Sequence, residues 1–206
     1  MRKPPDIFAR VANRLFLLRH GQTEWSVNGR HTGRTDIPLT PAGEGQALAA
    51  GGTLRSLLGG PSLVLSSPRA RALRTAALAG LRVDEVTEDL SEWDYGEYEG
   101  ITTPQIRETV PGWTVWTHPI PGGESASEVS ARADRVLERA RRDIEAGDVI
   151  LVGHGHFSRV LVARWVGLPA TAGVHFGLDA AGIAVLGDER GEPQIEHLNL
   201  PPALED

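Results

Sequence analysis

Four short stretches carry side chains suited to the chemistry of a small anion. They are Arg19-His20-Gly21, Ser66-Ser67-Pro68-Arg69, the acidic and aromatic run from Leu90 to Gly100, and Gly153-His154-Gly155-His156. Arginine keeps its charge at physiological pH, and its planar fork matches phosphate. Neutral histidine is a nucleophile and proton carrier near pH 7. A carboxyl group in a loop that also holds Trp93, Tyr95 and Tyr98 could serve as a proton donor in a partly apolar setting. Each stretch is weak alone, since an Arg-His pair just past a strand is an ordinary surface feature. Together they offer two guanidinium groups and two imidazoles for one anion, and phosphate is the natural guest. Metal binding by His20, His154 and His156 is the other sharp reading. It is weaker, because neighbouring arginines repel a divalent cation and no Asp or Glu accompanies the His motifs.

Convergence of these groups requires elements that deliver them to one place. Leu15-Phe16-Leu17-Leu18 is too short to span a membrane and has the length of a buried strand, predicted over Arg14–Leu18. Leu63-Val64-Leu65 and Asp148–Val152 read the same way, and each runs directly into one of the polar motifs. Strand ends in a parallel sheet lie along one edge, where α/β proteins bind ligands. Val83–Val86, Ile183–Leu186 and Gln194–Leu198 complete six predicted strands, the last two joined by a hairpin turn at Gly187–Gly191. Thr40-Pro41 is a helix start, with Thr as cap and Pro at the first helical position. That helix ends at Gly59-Gly60. Further helices are predicted over Ala70–Ala79, Thr103–Val110, Ser127–Glu145 and Ser158–Val166, with Val129, Ala133, Val136, Leu137 and Ala140 on one apolar stripe. The segment after the first strand is read as loop as far as Thr40, and Trp113 and Trp116 as plugs of a later loop.

The 206 residues suit a single α/β domain spanning 1–206, with 1–13 as a flexible lead-in. That lead-in is basic but lacks an apolar core, so it does not read as a signal peptide. A net charge of −6 argues against a nucleic-acid surface, and no apolar run approaches membrane length. The chain has no cysteine, which excludes disulfides, thiolate catalysis and Cys-zinc sites. A cytoplasmic location is the default expectation.

The ordered combination of Arg19-His20-Gly21-Gln22-Thr23, Gly33 with Thr35-Asp36-Ile37-Pro38-Leu39-Thr40, Ser66-Ser67-Pro68-Arg69 and Gly153-His154-Gly155 resembles the histidine phosphatase superfamily, in its phosphoglycerate mutase-like branch. The resemblance covers nearly the whole chain. It implies an α/β fold with a mostly parallel central sheet flanked by helices. It implies that His20 takes the phosphoryl group as phosphohistidine, and that Arg19, Arg69 and His154 hold the phosphoryl oxygens. By position, Glu92 matches the family's proton donor and Tyr95 a residue near the pocket rim. Asp94, Glu97 and Glu99 compete with Glu92 for that role on chemistry alone. Ser26, Arg30, Thr32 and Gly33 after the first strand, with Gly155, His156 and Arg159, are further candidates for substrate contact. For His156 and Arg159, a helix cap and an exposed helix residue are equally good readings. No metal or other cofactor is implied.

Between hydrolysis and mutase chemistry the sequence favours hydrolysis. Trp93 follows Glu92 where the mutases carry arginine, and the downstream segment holds Arg107, Trp113, Trp116 and His118 with no adjacent basic pair. Ser26 and His156 stand where the mutases have asparagines. Glu92-Trp93-Asp94-Tyr95-Gly96 and His154-Gly155-His156 instead resemble broad-specificity acid and sugar-phosphate phosphatases, among them sedoheptulose bisphosphatase-like enzymes. The expected partner is therefore a small phosphorylated metabolite, with the cofactor-dependent mutase as the alternative. A non-catalytic phosphate-binding module ranks lower, because it would have no need of both His20 and Glu92. A homodimer is compatible with the family.

Overall fold

Three short buried strands sit side by side with their carboxyl ends level, and this arrangement decides where the functional groups meet. In a computed structural model, which describes residues 13–60 and 62–202, β1 is Leu15–Arg19, β2 Ser62–Ser66, β3 Glu85–Val86, β4 Asp148–Gly153, β5 Ile183–Glu189 and β6 Glu192–Leu200. The sheet order is β3-β2-β4-β1-β5-β6. The first four strands are parallel, while β5 and β6 are antiparallel to their neighbours. The mostly parallel sheet matches the expectation. Its flanking helices are α1 (Glu24–Asn28), α2 (Pro41–Leu57), α3 (Ala70–Leu78), α4 (Thr103–Thr109), α5 (Ala126–Asp143) and α6 (Gly155–Trp165).

Continuous apolar runs make sense for strands covered on both faces. Leu15, Leu17, Leu65, Val149 and Leu151 face one core, which contains the α5 stripe together with Phe157, Val160 and Leu161 of α6. Phe16, Leu18, Val64, Ile150 and Val152 face the other, against Ala50 and Leu54 of α2 and Ala72 and Ala76 of α3. Trp113 and Trp116 are buried in the first core, as expected of plugs. Register is fixed by this double burial. Arg19 pairs with Gly153, and Ser66 with Val152. Past the strand ends, His20 N donates to Gly153 O at 2.9 Å and Ser67 N to Val152 O at 2.9 Å. His20, His154 and Ser67 are thereby brought to one edge.

Several boundaries differ from expectation, and β3 covers only Glu85–Val86 of the expected Val83–Val86. The segment after β1 is not all loop, because Thr23 and Ser26 form a capping box that starts α1. The β5–β6 turn is confined to Arg190 and Gly191, which take φ of 58° and 90°. Such left-handed pairs match the twist of a two-residue hairpin, so β5 runs on through Gly187. Helix α6 begins at Gly155, which puts Gly155 and His156 in its first turn. Of the expected lead-in, only Asn13 lies among the described residues, where its Nδ2 donates to Ile144 O at 2.7 Å.

Candidate active site

His20 leaves the end of β1 nearly buried, with 6% of its surface exposed. Its Nδ1 lies 2.7 Å from Gly21 O. A carbonyl can only accept, so Nδ1 carries the ring proton and Nε2 keeps its lone pair. Gly21 N is held in turn by Thr75 Oγ1 at 3.0 Å. A side chain at position 21 would overlap the carbonyl of Gly43 in the first turn of α2, so only glycine permits this approach. Burial pushes the His20 pKa well below its ordinary value, and the Arg71 and Arg19 charges push it the same way. The imidazole is therefore neutral where a free histidine would be charged.

Around it lie three more nitrogen-rich side chains. His154 is fully buried, its ring edge-on to His20 with centroids 5.3 Å apart. Its Nε2 is 2.7 Å from Ser67 Oγ. Arg19 donates from Nη1 to Leu178 O at 2.6 Å and lies against Gly155, whose missing Cβ would come within 3.2 Å of the guanidinium carbon. Arg71 has no exposed surface. Its fork donates to Thr35 O at 2.7 Å, Thr32 O at 3.0 Å and Gly33 O at 3.2 Å. Among the neighbouring charges, that of Arg71 acts most strongly on both His20 and His154. Arg19 Nε, Arg69 Nε, Arg71 Nε and His154 Nδ1 are buried and make no hydrogen bond. Each such atom costs about 1–3 kcal/mol unless something pairs with it.

The sequence points to Arg69, whereas the structure sets the Arg71 charge nearer to His20 and His154. Arg69 is the residue before α3; its Nη2 donates to Glu88 at 3.1 Å, while its Nε is buried without a hydrogen bond. It borders an adjoining groove with Ser91 and Asp94 and, like Arg71 and His154, is not among the residues that line the His20 cavity. The helical phase carried the missing signal. Ala72, Thr75 and Ala76 form the buried stripe of α3, and Arg71, one turn before Thr75, shares that face.

Glu92 reaches the site from the loop after β3. Its Oε1 accepts from Trp93 N at 2.9 Å and Phe157 N at 2.8 Å, and its Oε2 from His156 N at 3.0 Å. The carboxylate thus caps the start of α6, whose N-cap residue His154 offers no side-chain bond of its own. Its three rivals are engaged elsewhere or exposed. Glu99 accepts from Gly33 N and Thr35 N, Asp94 accepts from Gly96 N and pairs with Arg34, and Glu97 faces solvent.

A cavity of about 440 Å³ opens over His20. Ser26, Arg30, Thr32, Tyr95, Gly155, His156 and Arg159 line it. Gly33 does not, because its amide is turned to Glu99 and it borders the adjoining groove. Ser26 is also committed to α1, accepting from Thr23 N at 2.9 Å. His156 is not a cap, and its Nδ1 lies 2.6 Å from the Tyr95 hydroxyl. Arg159 is half-buried, stacked 4.7 Å from the Trp116 ring centre and donating to Gly173 O. Trp25, His31, Arg107 and Trp116 complete the wall without having been singled out by the sequence for substrate contact. Burial lowers the His31 pKa to about 4. Glu92 is the one acid in a lining that also holds Arg19, Arg30, Arg107 and Arg159. None of those four arginines is ion-paired to a carboxylate among the described residues, in contrast to most arginines of the outer surface. No cluster of three His, Asp or Glu side chains suited to a metal occurs among the described residues. No helix among them is long and apolar enough to cross a membrane.

Comparison with known proteins gives consistent matches. The profile described as Histidine phosphatase superfamily (branch 1) matches residues 15–201. An acid phosphatase of Mycobacterium tuberculosis is 51% identical over 188 residues, covering 91% of this chain and 93% of the relative. A sedoheptulose 1,7-bisphosphatase of Saccharomyces cerevisiae is 35% identical, covering 75% of this chain and 68% of the relative. Among solved structures, a mycobacterial glucosyl-3-phosphoglycerate phosphatase superposes with a TM-score of 0.80 at 32% identity, covering 91% of this chain and 99% of that one.

Proposed function

The chain belongs to branch 1 of the histidine phosphatase superfamily and is a phosphatase; from that premise we propose that it hydrolyses small phosphorylated metabolites through a phosphohistidine at His20. The observation that carries this reading is the set of buried, unpartnered nitrogens on Arg19, Arg71 and His154 beside a neutral His20. A tetrahedral anion with three equivalent oxygens would pair with them, and its developing charge would be met by groups already in place.

In the first step His20 Nε2 forms a bond to phosphorus as the ester P–O bond breaks. The leaving oxygen takes a proton from Glu92. Oε2 is the atom assigned to that proton, because it accepts one backbone hydrogen bond while Oε1 accepts two. In the second step water attacks phosphorus and gives its proton back to Glu92. The N–P bond breaks, releasing phosphate and restoring His20. The guanidinium groups supply the positive charge that magnesium supplies in kinases, so no metal is needed. Arg30, Arg107 and Arg159 at the mouth favour an anionic substrate. The comparisons favour hydrolysis over the mutase alternative. All the groups used come from one chain read as one domain, and a cytoplasmic location suits such a substrate. Sedimentation velocity checks the homodimer expectation.

Substrate labelled in the phosphoryl group is the direct test. Rapid quenching should trap label in an acid-labile, base-stable bond on the peptide that contains His20. Turnover without label there, or label on another residue, would falsify the assignment. Chelator should leave the rate unchanged. Loss of activity in chelator with recovery on adding a divalent ion would restore the metal reading of His154 and His156.

A further inference from the structure

Arg132 lies on α5, outside the cavity, yet it is tied to Glu92 from two directions. Its side chain is only 11% exposed and forms an ion pair with the nearly buried Glu124. Nε and Nη2 donate to the Glu124 carboxylate at 2.8 and 2.6 Å. The remaining donors collect the backbone of the Glu92 loop: Asp89 O at 3.0 Å, Ser91 O at 2.7 Å and, more weakly, Glu92 O at 3.4 Å. The flat face of the guanidinium covers the Phe157 ring, with Cζ 3.9 Å from its centre. Phe157 N is one of the three donors that fix the Glu92 carboxylate. Glu124 closes the arrangement, since its carbonyl accepts from the Trp93 indole at 2.8 Å.

We propose that Arg132 is a positioning residue for proton transfer, holding the Glu92 main chain on one side and the helix end that grips the Glu92 carboxylate on the other. The inference rests on the reading of Glu92 as the proton donor. A planar fork suits this task, because it satisfies several carbonyls in one plane while presenting a face to a ring. A lysine head group is a single point and can keep the ion pair but not the span. A proton donor displaced by about an ångström loses much of its effect, as positioning of reacting groups governs rate. Burial of the Arg132–Glu124 pair also gives it a plain structural role, so the test must read proton transfer as such.

The experiment compares p-nitrophenyl phosphate, whose leaving group departs without a proton, with phenyl phosphate, which needs one. Glu92→Gln is the control for the donor assignment and should slow phenyl phosphate by ~10²-fold or more while sparing p-nitrophenyl phosphate. Arg132→Lys keeps the charge opposite Glu124, and its melting temperature is measured alongside. It should slow phenyl phosphate by about 10-fold or more, change p-nitrophenyl phosphate by less than about 3-fold, and shift the alkaline limb of the phenyl phosphate pH profile. In the Glu92→Gln background the same substitution should cost almost nothing further on phenyl phosphate. Equal losses on both substrates, no loss on either, or full additivity in the double variant would each overturn the proposal. If Glu92→Gln itself slows both substrates equally, the donor assignment fails, and the Arg132 proposal falls with it for a reason visible in that arm alone. Arg132→Met in a Glu124→Gln background repeats the measurement without an unpaired buried charge, should the lysine variant fold poorly.

Discussion

Arg71→Ala is expected to lower kcat by ~10³–10⁵-fold, the effect of removing an arginine from a transferring phosphoryl group. Arg69→Ala should cost less than about 10-fold, because Arg69 is already paired to the exposed Glu88 carboxylate and a pair open to solvent on one side contributes little. The contrast follows from placement. Arg71 is fully buried beside His20 and His154, whereas Arg69 is paired to Glu88 at the rim of the neighbouring groove. Part of the Arg71 effect will be structural, since its fork also satisfies the carbonyls of Thr32, Gly33 and Thr35. Arg71→Lys separates the contributions, because it retains charge while losing the fork. Thermal melts of all three variants and single-turnover rates with p-nitrophenyl phosphate make the comparison. A larger loss from Arg69→Ala than from Arg71→Ala would return the phosphoryl site to the residue that the sequence alone pointed to.

The unliganded protein should lose stability steeply in mild acid. His20, His31 and His154 are buried and neutral, with pKa values pushed down chiefly by burial. In the unfolded chain each takes up a proton below about pH 6.5. Protons therefore bind the unfolded state preferentially, so the stability is intact above about pH 6.5 and falls as pH drops toward the depressed folded values. Each such histidine contributes up to ~1.4 kcal/mol per pH unit in that window, and three together about 4 kcal/mol. Against a typical total of about 5–15 kcal/mol, such a loss should lower the urea midpoint clearly within one to two pH units of acid. Urea midpoints between pH 8 and 4.5 in phosphate-free buffer measure this. A midpoint unchanged from pH 7 to 5 would mean that the imidazoles already carry protons in the folded state. The same lowering keeps His20 nucleophilic in mild acid, so the acid limit of activity should follow unfolding rather than titration of the nucleophile.

The sequence was most legible where a strand ran directly into chemistry. Leu15–Leu18 and Val149–Val152 are apolar on both faces, and such runs admit few alternatives, so the strands that lead to His20 and His154 are legible from pattern alone. Arg69 follows the end of a strand, but the next helix decides which arginine shares the face toward His20. The position of Arg71 depends on the phase of α3, which appears only when Ala72, Thr75 and Ala76 are seen as one stripe. Glu92 could not be separated from Asp94, Glu97 and Glu99 by composition. The distinction comes from two backbone amides at the start of α6, those of His156 and Phe157, more than sixty positions away along the chain. Helix α1 was hidden in a glycine-containing stretch, though Thr23 and Ser26 have the spacing of a reciprocal cap. Arg132 had no signal at all, since its partners are mostly main-chain oxygens.

The sheet order has a bearing on how the chain acquires its chemistry during folding. Strand β4 lies between β1 and β2, although both precede it by a long stretch of chain. Closing such distant pairs comes at an entropic cost that local contacts do not bear, and it slows folding. A nascent chain that has not yet extended past Gly153 has Arg19, His20 and Arg71 but neither His154 nor the α6 amides that hold Glu92. Its β1 and β2 would also present unpaired apolar edges, open to pairing with other chains. Competence to form a phosphohistidine therefore arrives together with the removal of those edges, in the single event of β4 insertion.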